Sequence, residues 1–173
     1  LYLIRHGETA GNQEGRFRGR ADFPLNERGI EQAESLAEEL KNVSFNSIYT
    51  SPLIRATRTA EIVNQFHKCP VHIVEEINNA YLGSWEGKLR SEIKTNFPNL
   101  FQIWLENPEK LNVKGMEKVN QVKERSGRFV RNLVNELDQQ EDLTVAVVSH
   151  RAVIKPMIAD LIGIKSPYFW RIH

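Results

Sequence analysis

The sequence predicts an α/β fold, a three-layer αβα sandwich in which helices cover both faces of a mostly parallel sheet. Short apolar segments that suit strands alternate with longer segments whose apolar residues recur at helical spacing. The segment 143–149 is apolar at nearly every position, which is typical of a parallel strand buried on both faces. With 173 residues and no internal repeat or low-complexity linker, we expect one domain spanning residues 1–173.

The strand and helix patterns can be placed along the chain. Strands are predicted at 1–4, 45–50, 71–74 and 143–149, and helices at 30–40, 56–66, 117–137 and 152–162. Pro156 falls either in the first turn of the last helix or at a kink. The residues expected to face inward from the helices are Ile30, Ala33, Leu36, Ala37, Leu40; Ala56, Ala60, Val63, Phe66; Val119, Val122, Phe129, Leu133, Leu137; Val153, Met157, Ile158 and Leu161.

The region 82–115 interrupts this alternation. It is rich in aromatic residues and has prolines at 98 and 108. We expect short helices here, forming a small cap over one edge of the sheet, with Trp85 and Trp104 packed inside it.

Composition excludes several classes of protein. The chain carries 23 basic and 22 acidic residues, a net charge of +1, so it lacks the basic patch of a nucleic-acid or membrane-surface binder. No apolar run reaches the roughly 20 residues of a membrane-spanning helix. Cys69 is the single cysteine, and the chain opens without a signal-peptide pattern, so a cytoplasmic location is expected. The chain starts at Leu1 without Met, so we expect residues to precede it.

Arginines and histidines follow three of the predicted strands. Arg5 and His6 follow the first strand, Arg55 lies shortly after the second, and His150 ends the segment 143–149. In parallel α/β sheets ligands bind beyond the carboxyl ends of strands, so these side chains are expected to converge. A guanidinium matches phosphate oxygens and stays charged. The convergence predicts a site for a phosphoryl group, with a histidine available as covalent nucleophile.

The sequence predicts no metal and no cofactor. The five histidines lack metal-ligand spacing, and His67 and His72, which flank Cys69, are expected to be solvated or packed. No GxxxxGK[ST] loop is present, which argues against nucleotide hydrolysis at a Walker-type site.

Five blocks in order resemble the histidine phosphatase superfamily, the branch of phosphoglycerate mutases and related phosphatases. The first block, Leu3 to Thr9, resembles the RHGE signature of that superfamily, and the match covers essentially the whole chain. The later blocks are Leu25-Asn26-Glu27-Arg28-Gly29 to Ala33 (preceded by Asn12, Gly19 and Asp22), Ser51-Pro52-Leu53-Ile54-Arg55 to Ala60, Leu82-Gly83-Ser84-Trp85-Glu86-Gly87, and Val148-Ser149-His150.

The resemblance implies roles for particular residues. His6 would accept the phosphoryl group, and Arg5, Arg55 and His150 would bind its oxygens. Asn12 would contact the same group, whereas Arg58 would be peripheral. Arg18 and Gly19 would border the substrate, and Arg151 would follow the second histidine near the phosphate. The resemblance also implies a further strand after His173, so the chain is expected to be incomplete at its carboxyl end.

One position departs from the family. Relatives usually place a Glu general acid four residues before the glycine of the Gly-x-Trp-Glu-Gly block, and this chain has Asn79 there. Glu75 and Glu76 lie too early to match. Glu86 is the first alternative proton donor. Loss of a general acid is expected to cost about 10²–10⁴-fold in rate.

The function expected is hydrolysis of a small phosphorylated metabolite through a phosphohistidine at His6, without a metal. Two alternatives stay open. One is a cofactor-dependent phosphoglycerate mutase, disfavoured by the short region 82–115. The other is a catalytically weakened phosphate-binding pseudo-enzyme, in which Asn79 marks lost turnover. The region 82–115 resembles the cap of small bacterial phosphatases that act on phosphoserine or α-ribazole phosphate. The sequence leaves a homodimer open.

Overall fold

A four-stranded parallel sheet forms the centre of the molecule, seen in a computed structural model that describes residues 1–139 and 143–164. Its strands are β1 (Tyr2–Arg5), β2 (Ser47–Thr50), β3 (Val71–Ile73) and β4 (Val145–Ser149). They lie in the order β1-β4-β2-β3, and every pairing is parallel. The four predicted strands are confirmed, with ends that shift by one or two residues.

Seven α-helices connect and cover the strands in the described part of the chain. The four predicted helices correspond to α2, α3, α6 and α7, whereas α1 was not predicted. The bounds are α1 (Ala10–Gln13), α2 (Glu27–Leu40), α3 (Ile54–Asn64), α4 (Arg90–Asn96), α5 (Pro98–Glu106), α6 (Val119–Asp138) and α7 (Arg151–Leu161), with short 3-10 helices at Glu75–Ile77, Gly83–Trp85 and Pro108–Lys110.

The alternation of side chains along the strands separates two apolar layers. Leu3, Tyr49, Val145 and Val147 point to the face that α6 and α7 cover. The neighbouring strand residues Ile4, Ile48, Ala146 and Val148 point to the opposite face, against α2 and α3. All five residues of β4 are buried, because both faces of this central strand are covered. The αβα arrangement is thereby confirmed.

Two details of the helix predictions are wrong. Phe66 is 48% exposed, because α3 ends at Asn64 and the chain turns through Lys68, whose φ is +53°. Leu161 is 38% exposed at the last residue of α7, beyond the buried stripe of that helix. Of the two places predicted for Pro156, the first turn does not apply, because Pro156 is the sixth residue of α7 and lies inside the helix.

The region 82–115 forms the predicted cap of short helices. Phe17, from the loop after α1, is buried among cap side chains that include Trp85, Ile93 and Leu111. The Phe17 ring centroid lies 4.8 Å from that of Trp85 and 4.9 Å from that of Trp104, so both tryptophans pack as expected. The cap is therefore tied to the chain that follows β1. Across residues 1–139 and 143–164, no helix has the length and apolarity needed to cross a membrane.

Candidate active site

The register of the sheet brings three chain segments to one place. Arg5 pairs with Ser149, and the residues that follow each strand continue the contact: the His6 amide donates to the Ser149 carbonyl at 3.1 Å. The Ser51 amide donates to the Val148 carbonyl at 3.0 Å. His6, Ser51 and His150 thus leave three adjacent strands at the carboxyl end of the sheet, where the sequence placed the site.

His6 is held with one ring nitrogen available. Its Nδ1 lies 2.6 Å from the Gly7 carbonyl oxygen, which can only accept, so Nδ1 carries the proton and Nε2 has the free lone pair. Burial, and after it the charge of Arg55, lowers the pKa of His6 from 6.5 to about 3. The ring is therefore neutral near pH 7, the state that a nucleophile requires.

His150 lies beside His6, with 5.0 Å between the two ring centroids. Its Nε2 is 2.8 Å from the Ser51 hydroxyl oxygen, and its Nδ1 is buried without a hydrogen-bond partner among the described residues. Burial first, and then Arg55, lowers the pKa of His150 well below its ordinary value. Both histidines are neutral in the unliganded site.

Arg55 is fully buried, and its Nη1 lies 3.7 Å from Oδ1 of Asp22. Its Nη1 donates to the Ala21 carbonyl at 3.0 Å and its Nη2 to the Gly19 carbonyl at 2.7 Å. Its Nε has no partner among the described residues. Arg58 instead is exposed and pairs with Glu61 at 3.0 Å.

Three buried nitrogens at this end of the sheet lack partners in the part of the chain that the structure describes. They belong to Arg18 (Nη1), Arg55 (Nε) and His150 (Nδ1). Buried polar atoms are nearly always hydrogen-bonded, so such a cluster marks a place where a ligand binds. Burial and then the charges of Arg55, Arg5 and Arg90 lower the pKa of Arg18 to about 10, and an anion would relieve this repulsion.

The remaining predicted residues lie around this centre. Arg5 and Asn12 border a cavity of about 270 Å³ between the His6 loop and α2. The side-chain oxygen of Asn12 also accepts from the Thr9 amide at 3.1 Å, which closes the first turn of α1. Arg151, the exposed first residue of α7, lies close enough to Arg5 to lower its pKa, after burial as the larger cause.

Asn79 and Arg55 donate to the same backbone carbonyl. Asn79 Nδ2 donates to the Gly19 carbonyl at 2.7 Å, the same oxygen that Arg55 binds. Gly19 has φ +50°, and a Cβ there would meet Glu86 Oε1 at 1.9 Å, so only glycine fits this turn. The structure brings Asn79, Gly19 and Arg55 together.

Glu86, the alternative proton donor, is occupied otherwise. Its Oε1 accepts from the amides of Arg20 at 3.0 Å and Leu82 at 2.7 Å, and its Oε2 accepts from the Ala21 amide at 2.6 Å. Glu86 therefore holds the loop 19–21 in place. Backbone amides thus donate to both of its oxygens, and its role as an alternative proton donor stays a prediction.

The sequence analysis gave no role to several residues that support the site. Ser51 holds His150, and the Thr59 hydroxyl accepts from the Gly7 amide at 3.2 Å. Asp22 accepts from the Ile54 amide at 2.9 Å, at the start of α3. Arg125, on the distant helix α6, donates to the backbone carbonyl of Asn79 at 3.2 Å. Ser51 stands at a strand end, a signal that could have found it, but nothing local singles out Arg125.

Comparison with known proteins decides the family. The sequence profile of the histidine phosphatase superfamily (branch 1) matches residues 1–173. This chain belongs to the histidine phosphatase superfamily. Among its relatives, it is 34% identical to the adenosylcobalamin/alpha-ribazole phosphatase of Escherichia coli, over 100% of this chain and 84% of that protein. It is also 34% identical to phosphoserine phosphatase 1 of Hydrogenobacter thermophilus, over 98% of this chain and 79% of that protein.

Solved structures of histidine phosphatases have the same fold. The alpha-ribazole phosphatase from Shigella flexneri superimposes with a TM-score of 0.86 at 34% identity, covering 98% of this chain and 82% of that one. A mycobacterial glucosyl-3-phosphoglycerate phosphatase superimposes with a TM-score of 0.90 at 27% identity, covering 100% and 84%. This histidine phosphatase is a phosphomonoesterase of the histidine type.

Proposed function

We propose that this histidine phosphatase hydrolyses a small phosphorylated metabolite in two steps, through a phosphohistidine at Nε2 of His6 and without a metal ion. The observation that carries the proposal is the state of the His6 ring. The 2.6 Å contact from Nδ1 to the Gly7 carbonyl leaves Nε2 unprotonated, and the ring is buried beside His150. A neutral, oriented imidazole next to buried cationic donors suits in-line attack on phosphorus.

The donors around His6 would bind the phosphoryl oxygens. Arg18 Nη1, Arg55 Nε and His150 Nδ1 are buried and without partners among the described residues, so each has a hydrogen bond to give. Arg5 and Asn12 line the cavity beside His6, and Arg151 adds positive charge near Arg5. The Gly19 carbonyl holds Arg55 in place. Donors arranged before the substrate arrives stabilise the transferring group without reorganisation.

The arginines would neutralise the charge that a metal ion neutralises in other phosphatases. In residues 1–139 and 143–164, no three His, Cys, Asp or Glu side chains converge as metal ligands would. We therefore expect turnover of p-nitrophenyl phosphate to survive extended dialysis against EDTA. Loss of activity on dialysis, with recovery on adding a divalent ion, would contradict the metal-free mechanism.

The role of His6 is tested separately: His6→Ala should lose activity. The matched control is His72→Ala, on the exposed strand β3, which should keep it.

A further inference from the structure

The side chain of Asn79 has both ends occupied within the protein. Its Nδ2 donates to the Gly19 carbonyl at 2.7 Å, and its Oδ1 accepts from the Ala80 amide at 3.0 Å. Because Gly19 also accepts from Arg55 at 2.7 Å, the amide of Asn79 helps to place the guanidinium that faces the phosphoryl site. An amide in this role positions Arg55 and has no acidic proton to release.

The backbone of Asn79 is fixed as firmly as its side chain. Its carbonyl accepts from Arg20 Nε at 3.0 Å and from Arg125 Nη2 at 3.2 Å. Arg125 also donates to the Glu76 carbonyl at 2.6 Å, so one guanidinium holds the segment at two points. Asn79 is therefore not free to swing away and admit another group in its place.

The carboxylates that border Asn79 and Arg55 are engaged as acceptors. Glu86 accepts hydrogen bonds from three backbone amides, two in the loop 19–21 and one at Leu82. Glu117 accepts from Arg125 at 2.6 and 3.0 Å and from the Tyr81 amide at 3.2 Å. Asp22 accepts from the Ile54 amide with both oxygens, at 2.9 and 3.2 Å. To deliver a proton, each of these groups would have to give up a hydrogen bond that shapes the site.

Each of the two histidines holds one ring nitrogen against the protein, and His150 keeps its Nδ1 without a partner among the described residues. The proton on His6 Nδ1 points at the Gly7 carbonyl, away from the attacking Nε2. His150 Nε2 lies against the Ser51 hydroxyl. Both rings are buried among arginines, which favours their neutral forms until an anion enters. In the proposed site the leaving oxygen would therefore lie near cationic donors that can stabilise a negative charge, and position 79 carries an amide.

From this arrangement we infer that position 79 supplies no proton, and that the preferred substrates carry their phosphoryl group on a weakly basic oxygen, that of a phenol, an enol or a carboxylic acid. The inference rests on the proposed phosphohistidine route. Leaving groups of this kind depart as stable anions, whereas an alkoxide needs a proton in the transition state. The unpartnered nitrogens of Arg18 and Arg55, with Asn79 bonded to the same carbonyl as Arg55, suit the first kind.

The transfer balances without an added acid. His6 Nε2 forms a bond to phosphorus, the bond from phosphorus to the leaving oxygen breaks, and the electron pair departs with that oxygen as a phenolate, enolate or carboxylate. The proton on Nδ1 stays in its bond to Gly7. Water then attacks phosphorus, the N–P bond breaks with its electrons returning to Nε2, and both protons of the water leave with the dihydrogen phosphate.

Two matched pairs of compounds test this inference: acetyl phosphate against ethyl phosphate, and phenyl phosphate against benzyl phosphate. The kcat/KM ratio of the first to the second member is measured in the unaltered protein, in Asn79→Glu and in Asn79→Gln, with His6→Ala as background. We expect Asn79→Glu to lower the ratio by about 10²–10⁴-fold, the usual contribution of a general acid. Asn79→Gln has the length of Glu without its acidic proton, so it should keep the high ratio.

A series of substituted phenyl phosphates makes the test independent of how the variants fold. In the unaltered protein, log kcat/KM should fall as steeply with leaving-group basicity as the uncatalysed reaction does. A shallow dependence, equal rates on acetyl and ethyl phosphate, or a ratio unchanged in a folded Asn79→Glu variant would each overturn the inference. If His6→Ala keeps full turnover and no phosphoryl adduct forms on His6, the proposed function itself fails, whatever the ratios show.

Discussion

The buried donors without partners are the most informative single atoms in this molecule. Arg55 uses two nitrogens to hold the carbonyls of Gly19 and Ala21 and leaves Nε unpaired among the described residues. The Arg55 side chain thus holds the loop 19–21 in place and also faces the proposed phosphoryl site. Burying a guanidinium is costly, so its retention here indicates a gain when an anion binds.

Arg55→Ala should lose far more activity than Arg58→Ala, although the two arginines lie three residues apart on α3. A charge-assisted hydrogen bond is worth about 1.5–3 kcal/mol, which corresponds to roughly 10- to 150-fold in binding. Arg58 is exposed and pairs only with Glu61 in the described structure, so its loss should leave kcat/KM within about two-fold, since surface pairs contribute little. Steady-state kinetics on p-nitrophenyl phosphate, with circular dichroism to confirm folding, provide the comparison. Equal losses would mean that Arg55 does not face the phosphoryl group.

At the scale of elements, the start of α2 is pressed against the nucleophile loop. A Cβ on Gly29 would lie 2.0 Å from the Glu8 carbonyl oxygen, and one on Gly7 would lie 2.3 Å from the Gly29 carbonyl oxygen. The two backbones approach so closely that only glycine fits at either position. Helix α2 therefore fixes the path of the chain on which His6 stands.

Gly29→Ala should reduce activity because the backbone of Glu8 has to move and carries His6 with it. Displacing a reacting group by about 1 Å can cost about 10²-fold in rate. Gly15→Ala is the matched control: Gly15 has φ +69° with open space around its Cβ position, so it should lose about 1–2 kcal/mol of stability and keep its activity. Thermal unfolding and kcat for both variants test this. Activity retained in Gly29→Ala would show that the loop does not depend on this contact.

The sequence predicted the helices and strands whose apolar residues follow a regular pattern. It missed the short helix α1 and the contacts between residues distant in sequence. β4 was evident from its continuous apolar run, and α2 from its stripe of Ala33 and Ala37, both buried. Helix α1 spans four residues and is set by its Thr9 cap, too short for a periodic pattern. Arg125 reaches Asn79 across 46 positions, and the three amides on Glu86 exist only after the loop 19–21 folds over it.

The whole molecule is nearly neutral, yet several arginines lie close together at one end of the sheet. The net charge is +1, whereas Arg5, Arg18 and Arg55 act together on His6. Burial and these charges keep the histidine ring neutral in the folded state, whereas the unfolded chain binds a proton on it below about pH 6.5. The electrostatics that prepare the nucleophile therefore also determine how stability depends on pH.

The free energy of unfolding should decrease as the pH falls from about 6.5 toward 3. In this range His6 binds a proton in the unfolded state but not in the folded state, where its pKa is about 3. Above pH 6.5 His6 is unprotonated in both the folded and the unfolded state, so it no longer lowers the free energy of unfolding. Between pH 7 and pH 5 the loss from this one histidine is about 2 kcal/mol. Urea unfolding at both pH values measures it. His6→Gln should remove that part of the slope, and His72→Gln, on the exposed strand β3, is the matched control. An unchanged slope in His6→Gln would show that His6 is not held neutral.

The central claim is a covalent phosphoryl group on His6, and one mapping experiment tests it most directly. The protein is mixed with acetyl phosphate, quenched in base within a turnover, digested and analysed by mass spectrometry. We predict an acid-labile adduct of one phosphoryl group on the peptide that contains His6, absent from His6→Ala and present in His72→Ala. A phosphoryl group on a serine, on His150 alone, or on no residue while phosphate is being released would contradict the account.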